Sequence, residues 1–199
     1  DRLLSANASA HVKRTLGFRL REAATWADCV KDVVRRDDGR FQYQPDARFH
    51  AAQEDLFKWL MKHAADRPTG TFKRGKGDAT IATDTFSWSI AAIGPRRLAE
   101  SQFDPEGIME FAEEHCRTEA DFDRPDGRSV RVTGFDFAKT RNQARGGVVS
   151  SEWTAQAVVT YRILEKYFEA AGNIDKAAYY RDKINFYLNE LQKMIISRL

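Results

Sequence analysis

Residues 150–196 read SSEWTAQAVVTYRILEKYFEAAGNIDKAAYYRDKINFYLNELQKMII, and this stretch sets the expectation for the whole chain. Ala157, Val158, Tyr161, Leu164 and Phe168 recur at helical steps and form one apolar face. Ser150-Ser151 stands where a helix cap is needed. Ala171-Gly172-Asn173 is the turn. Asp175 is expected to cap a second helix whose matching face is Ala177, Tyr180, Ile184, Leu188, Leu191 and Ile195. A connection this short makes the two helices antiparallel neighbours.

Outward from that hairpin the helical pattern continues. Asp104-Pro105 is a cap followed by proline at the first helical position, opening a helix to about Cys116. Thr83 to Ile93 is apolar enough for a buried helix and stops at Gly94-Pro95. Phe49, Ala52, Leu56, Phe57, Leu60 and Ala64 make a stripe over about 46–65. Two further helices are expected near Leu3 to Thr15 and from about Arg21 to Arg36. Arg40 to Gln44 alternates and reads as a short extended piece or part of a loop. Residues 117–149 read as mostly irregular, punctuated by Gly127, Gly134 and Gly146-Gly147, with Val130-Arg131-Val132 as a short strand or hairpin arm. A loop of that length in a compact domain is usually functional or mobile. The expected fold class is therefore all-α, a series of antiparallel helical hairpins in one domain over residues 1–199.

Composition sets the class. Of 199 residues, 42% are hydrophobic and 31% charged, which suits a globular domain with a filled core. Mean hydropathy is −0.58, and no apolar run approaches the roughly 20 residues that span a bilayer. The net charge of +3 is small, and acidic residues interleave with most basic clusters, which argues against a dedicated nucleic-acid surface. Cys29 and Cys116 could pair or stand as buried thiols. His11, His50, His63 and His115 show no paired spacing, so neither a zinc site nor any other cofactor is expected. No serine lies in a nucleophile elbow. The chain begins at Asp1 with no leader-like segment, and an exported origin stays open.

Three segments carry a resemblance: Gly70-Thr71-Phe72-Lys73-Arg74-Gly75 with Ala82-Thr83-Asp84-Thr85-Phe86-Ser87-Trp88; Gly134-Phe135-Asp136-Phe137; and Val149-Ser150-Ser151-Glu152-Trp153-Thr154-Ala155-Gln156 with its hairpin. Together they resemble the (α/α) toroid, or six-hairpin glycosidase-like, proteins of bacteria, over most of residues 46–199. That resemblance implies a ring of about twelve helices with a cleft at one end. The chain has room for roughly seven helices of average length, hence part of a toroid or a reduced one. It also implies carbohydrate processing or binding, as a glycosidase-like hydrolase or a lyase-like module with a poly- or oligosaccharide partner. The hinge Tyr167 to Tyr180 looks like that of a tetratricopeptide repeat. Its pattern does not recur at the required period, so a non-catalytic scaffold that binds other protein subunits is the alternative.

The candidate chemistry follows. Glycoside hydrolysis uses two carboxyl groups across the scissile bond. Asp84 and Glu152 each open a helix directly after a loop, close to Trp88 and Trp153. In the enzymatic reading they share acid/base work, the tryptophans stack substrate, and Lys73 and Arg74 orient polar groups. Asp136, between Phe135 and Phe137, is a further substrate-binding candidate that could equally anchor its loop. Each role has a plainer counterpart: helix capping for the acids, core packing for the tryptophans, and a flexible basic loop for residues 72–77, which lack the Walker spacing.

Overall fold

The computed structural model describes residues 33–35, 41–43, 47–78, 80–138 and 147–196. The chain divides into two compact units, residues 1–56 and 57–199. In the first, β1 (Val33–Arg35) pairs antiparallel with β2 (Phe41–Tyr43), Val34 opposite Gln42. The end of the helix expected at 21–36 is therefore a strand, consistent with the β-branched Val33 and Val34. The rest of that helix, the helix expected at 3–15 and Cys29 lie outside the described residues. Helix α1 (Ala47–His63) begins in this unit and ends in the second.

The second unit continues with the short hairpin of β3 (Ala65–Asp66) and β4 (Thr71–Phe72). Then come α2 (Thr83–Ile93), α3 (Pro95–Glu100) and α4 (Pro105–Cys116). Gly94-Pro95 does more than stop α2. Gly94 sits at φ 87°, which glycine adopts without strain, and Pro95 opens α3 at once. The Asp104 side chain accepts the Glu106 N–H at 3.0 Å, capping α4.

Strands β5 (Arg117–Asp123) and β6 (Ser129–Phe135) pair antiparallel from Arg117 opposite Phe135 to Asp123 opposite Ser129. Helices α5 (Ser151–Ala170) and α6 (Ile174–Lys193) close the chain. The Asn173 N–H reaches back to the Phe168 carbonyl at 2.9 Å across Gly172, a Schellman stop. Asn173, not Asp175, caps α6: its side chain accepts the Lys176 N–H at 3.1 Å.

The all-α expectation, and with it the partial (α/α) toroid, is corrected. The described residues are about 60% helix and 17% strand, with the strands in three antiparallel pairs. The main departure is the β5–β6 hairpin inside the stretch read as irregular. Arg117, Glu119, Asp121 and Asp123 face solvent while Thr118, Ala120 and Phe122 turn inward, a period of two that only a sheet can use. β6 is buried from Val132 onward and packs on α6. There the Thr133 N–H donates to Glu190 Oε2 at 2.8 Å.

The core gathers Phe72, Phe86, Ile90, Leu98, Ile108, Phe135 and Leu164. α5 packs along α6 and against α2. Phe168, Tyr180, Tyr161 and Tyr187 stack in a row, with ring centroids 5.7, 5.9 and 5.8 Å apart. Among the described residues no helix is long and apolar enough to cross a membrane.

Candidate functional site

The site begins at one short strip of backbone, residues 135–138. The Thr83 N–H donates to the Phe137 carbonyl at 2.8 Å, and the Thr83 hydroxyl to the Asp136 carbonyl at 2.5 Å. The Ser150 N–H donates to the Phe135 carbonyl at 2.9 Å. Both α2 and α5 therefore start from the same strip. The first turns of the two helices, which carry Asp84 and Glu152, are brought to one end of the unit.

Asp136 builds this strip from within. It is 1% exposed, and its two carboxylate oxygens accept the Phe137 N–H at 2.6 Å and the Val148 N–H at 2.9 Å. Trp153 is half-buried, with its ring 5.2 Å from that of Phe137. Neither side chain lines the two clefts described next.

The first cleft, of about 410 Å³, lies between the loop after β4 and α2. Lys73 and Arg74 line it from the loop, and Asp84, Thr85, Trp88 and Ser89 from the helix. The second, of about 340 Å³, lies between α2 and α5, where Ser87, Trp88, Glu152, Gln156 and Val159 line it. The Trp88 indole is 60% exposed and contributes to both. Large aromatic side chains are normally buried, and an isolated helix surface gains nothing from an open indole. Below it, the Ser87 hydroxyl donates to Gln156 Oε1 at 3.2 Å, joining α2 to α5. Gln156 Nε2 in turn donates to Glu152 Oε1 at 3.5 Å.

The basic loop is built rather than loose. The Lys73 N–H donates to the Ala64 carbonyl at 2.7 Å, and the Asp78 N–H to the Gly75 carbonyl at 3.1 Å. Arg74 stands 5.2 Å over the Phe137 ring and 3.7 Å from the Asp78 carboxylate. Hydrogen bonds from Thr80 hold the Asp78 carboxyl below its ordinary range, with a smaller contribution from Arg74. Asp84 accepts only its neighbour's hydroxyl, from Thr85 at 3.4 Å, among the described residues.

Of the residues singled out from sequence, Lys73, Arg74, Asp84 and Trp88 thus share one cleft, and Glu152 shares the adjoining one with Trp88. Thr85, Ser89 and Gln156 were not anticipated. Gln156 had a legible signal, since it lies one helical turn beyond Glu152 on the same face.

A second polar cluster, unanticipated from sequence, lies between α4, α5 and α6. Glu113 Oε1 accepts the Tyr161 hydroxyl at 2.5 Å and the Tyr187 hydroxyl at 3.1 Å, while Lys183 Nζ donates to Oε2 at 2.7 Å. Glu106 accepts the Tyr180 hydroxyl at 3.1 Å and also pairs with Lys176. Burial pushes the Tyr161 phenol well above its ordinary value, and the Glu113 charge adds to the rise. Phenols held protonated against carboxylates tie helices together, and a group so reluctant to ionise does not serve as a base near neutrality.

Among the described residues no group of three or more His, Cys, Asp or Glu side chains is arranged to hold a metal ion. Comparison with family models, with curated proteins and with solved structures returned no match to this chain.

Proposed function

We propose that the two clefts joined by Trp88 bind a segment of a poly- or oligosaccharide, and that Asp84 and Glu152 supply the acid/base pair of a glycosidase-like or lyase-like reaction on it. The carrying observation is the open Trp88 indole forming a wall of both clefts. A flat aromatic surface accepts the apolar face of a sugar ring, and carboxylates and amides beside it accept and donate hydrogen bonds to hydroxyls. Asp84 lines one cleft and Glu152 the adjoining one, and in two-carboxyl glycoside chemistry the pair flanks a single scissile bond, which on this reading lies where the clefts meet at Trp88. A second reading, a protein-binding scaffold without catalysis, draws on Tyr179, Phe186 and Leu188, all exposed on α6.

The test is a calorimetric screen of defined oligosaccharides against wild type, Trp88→Ala, Asp84→Asn and Glu152→Gln. Trp88→Ala is expected to weaken binding roughly fivefold to tenfold, the worth of one stacked aromatic contact. Asp84→Asn and Glu152→Gln are expected to retain binding and lose turnover. Binding by the wild type without turnover leaves a lectin-like module. No binding of any glycan overturns the proposal and leaves the scaffold.

A further inference from the structure

The cleft that holds Lys73, Arg74 and Asp84 carries two cations from the loop and one carboxylate from α2. Their partners differ. Arg74 is held between Asp78 and the Phe137 ring. Lys73 is half-buried, its backbone is pinned to the end of α1, and among the described residues its ammonium has no ion-pair partner. Asp84 lines the same cleft without forming an ion pair with it among the described residues. A lysine on the wall of a cleft keeps its ammonium toward water or toward a carboxylate that enters. Here Lys73 lines a cleft together with an exposed indole, in a loop held by backbone hydrogen bonds.

On the reading that these clefts take oligosaccharides, we infer that the first cleft selects a sugar unit bearing a carboxylate, a uronate, with Lys73 as its main charge partner and Arg74 beside it. The sugar face stacks on Trp88, the carboxylate lies toward the loop, and hydroxyl groups lie toward Asp84. Arg74 suits the task because its guanidinium is already oriented, so little freedom is lost when a carboxylate arrives. Asp84 sets direction as well as contact, because a carboxylate placed against it is repelled. A neutral sugar would leave the Lys73 ammonium unpaired in the filled cleft.

The experiment compares a tetrameric oligogalacturonate with a neutral cello-oligosaccharide of the same length, by calorimetry at low and high salt, on wild type, Lys73→Met and Lys73→Arg. Circular dichroism of each variant checks the fold. Wild type is expected to bind the uronate oligomer about tenfold more tightly at low salt, the scale of one charge-assisted hydrogen bond, with the preference shrinking as salt is raised. Lys73→Met is expected to lose most of that preference and keep its affinity for the neutral oligomer. Lys73→Arg is expected to retain the preference, and it carries the test if Lys73→Met does not fold. Equal affinity of wild type for the two ligands overturns the uronate assignment and leaves the oligosaccharide reading standing. A preference that survives Lys73→Met unchanged removes Lys73 from the assignment and overturns it. Binding of neither ligand, nor of any other glycan in the wider screen, overturns both.

Discussion

Gly134 in β6 is the position where one added methyl group tests the packing most severely. A Cβ built there lies 2.4 Å from the Thr154 hydroxyl oxygen and 2.7 Å from Val149 Cγ1. Both distances are well inside contact, and Thr154 has no freedom to yield. Its oxygen accepts the Phe135 N–H at 3.0 Å and donates to the Ser150 carbonyl at 2.6 Å, in a side chain with no exposure to solvent. Overpacking of a filled site costs about 1–3 kcal/mol. Turning Thr154 away instead leaves a buried N–H unsatisfied, at about 1–3 kcal/mol. Alanine also restricts the unfolded chain, which returns about 0.4–1 kcal/mol. By either route, less what the unfolded chain returns, Gly134→Ala should destabilise the fold by about 1–2.5 kcal/mol, lowering Tm by about 2–10 °C for a chain of this length. Urea and thermal unfolding followed by circular dichroism read the effect. A variant whose Tm lies within about 2 °C of wild type would refute the reasoning, because the junction of β6 with α5 would then be loose enough to absorb a methyl group. The same junction sets the start of α5, so a shift there should also disturb Glu152 and the second cleft.

Two further outcomes follow from the ionisable groups. Glu165 is 1% exposed between Arg162 and Arg181, at 2.5 and 2.9 Å. Burial acts to raise its pKa, but hydrogen bonds and charge from the two arginines outweigh it and hold the group below the ordinary value of 4.5. A depressed folded pKa means stability that is complete above about pH 4.5 and lost as pH falls through the folded value, so Glu165→Gln should lie below wild type at pH 7 and approach it in acid, read as Tm against pH. For Tyr161, Tyr180 and Tyr187 the sign is opposite. Burial first, and then the neighbouring carboxylates, raise all three, so their contribution is complete below the ordinary value of 10.0 and is lost as pH rises beyond it. Of the 6 tyrosines, these three should show no phenolate absorbance on alkaline titration until the protein unfolds, and titration of all six near pH 10.0 would disprove the Glu113 and Glu106 network.

The legible parts of this protein were those decided within a few residues. Asp104-Pro105, Ser150 and the Gly172 stop each act across one helical turn, and α2, α4 and α5 begin and end where the sequence alone puts them. The misread parts depend on partners far along the chain. β5 is half-exposed and charged on one face, so nothing local separates it from a loop until β6 lies beside it and α6 packs on β6. The candidate site divides in the same way. Asp84 and Glu152 were visible as acids in first helical turns and Trp88 as an aromatic residue one turn beyond Asp84, whereas Asp136 and Trp153 carried the same chemistry in their letters and are taken up by the frame.

What the sequence by itself determined is therefore a set of helices, the caps of α4 and α5, and the residue types at the helix mouths. Only the tertiary structure decided which mouths open together. It did so through hydrogen bonds such as those from Thr83 to Asp136, 53 residues apart, and from Thr133 to Glu190, 57 residues apart. Bonds of that reach form only when the intervening chain has folded, because their gain must exceed the entropy of closing the loop between them, and no local pattern records that balance.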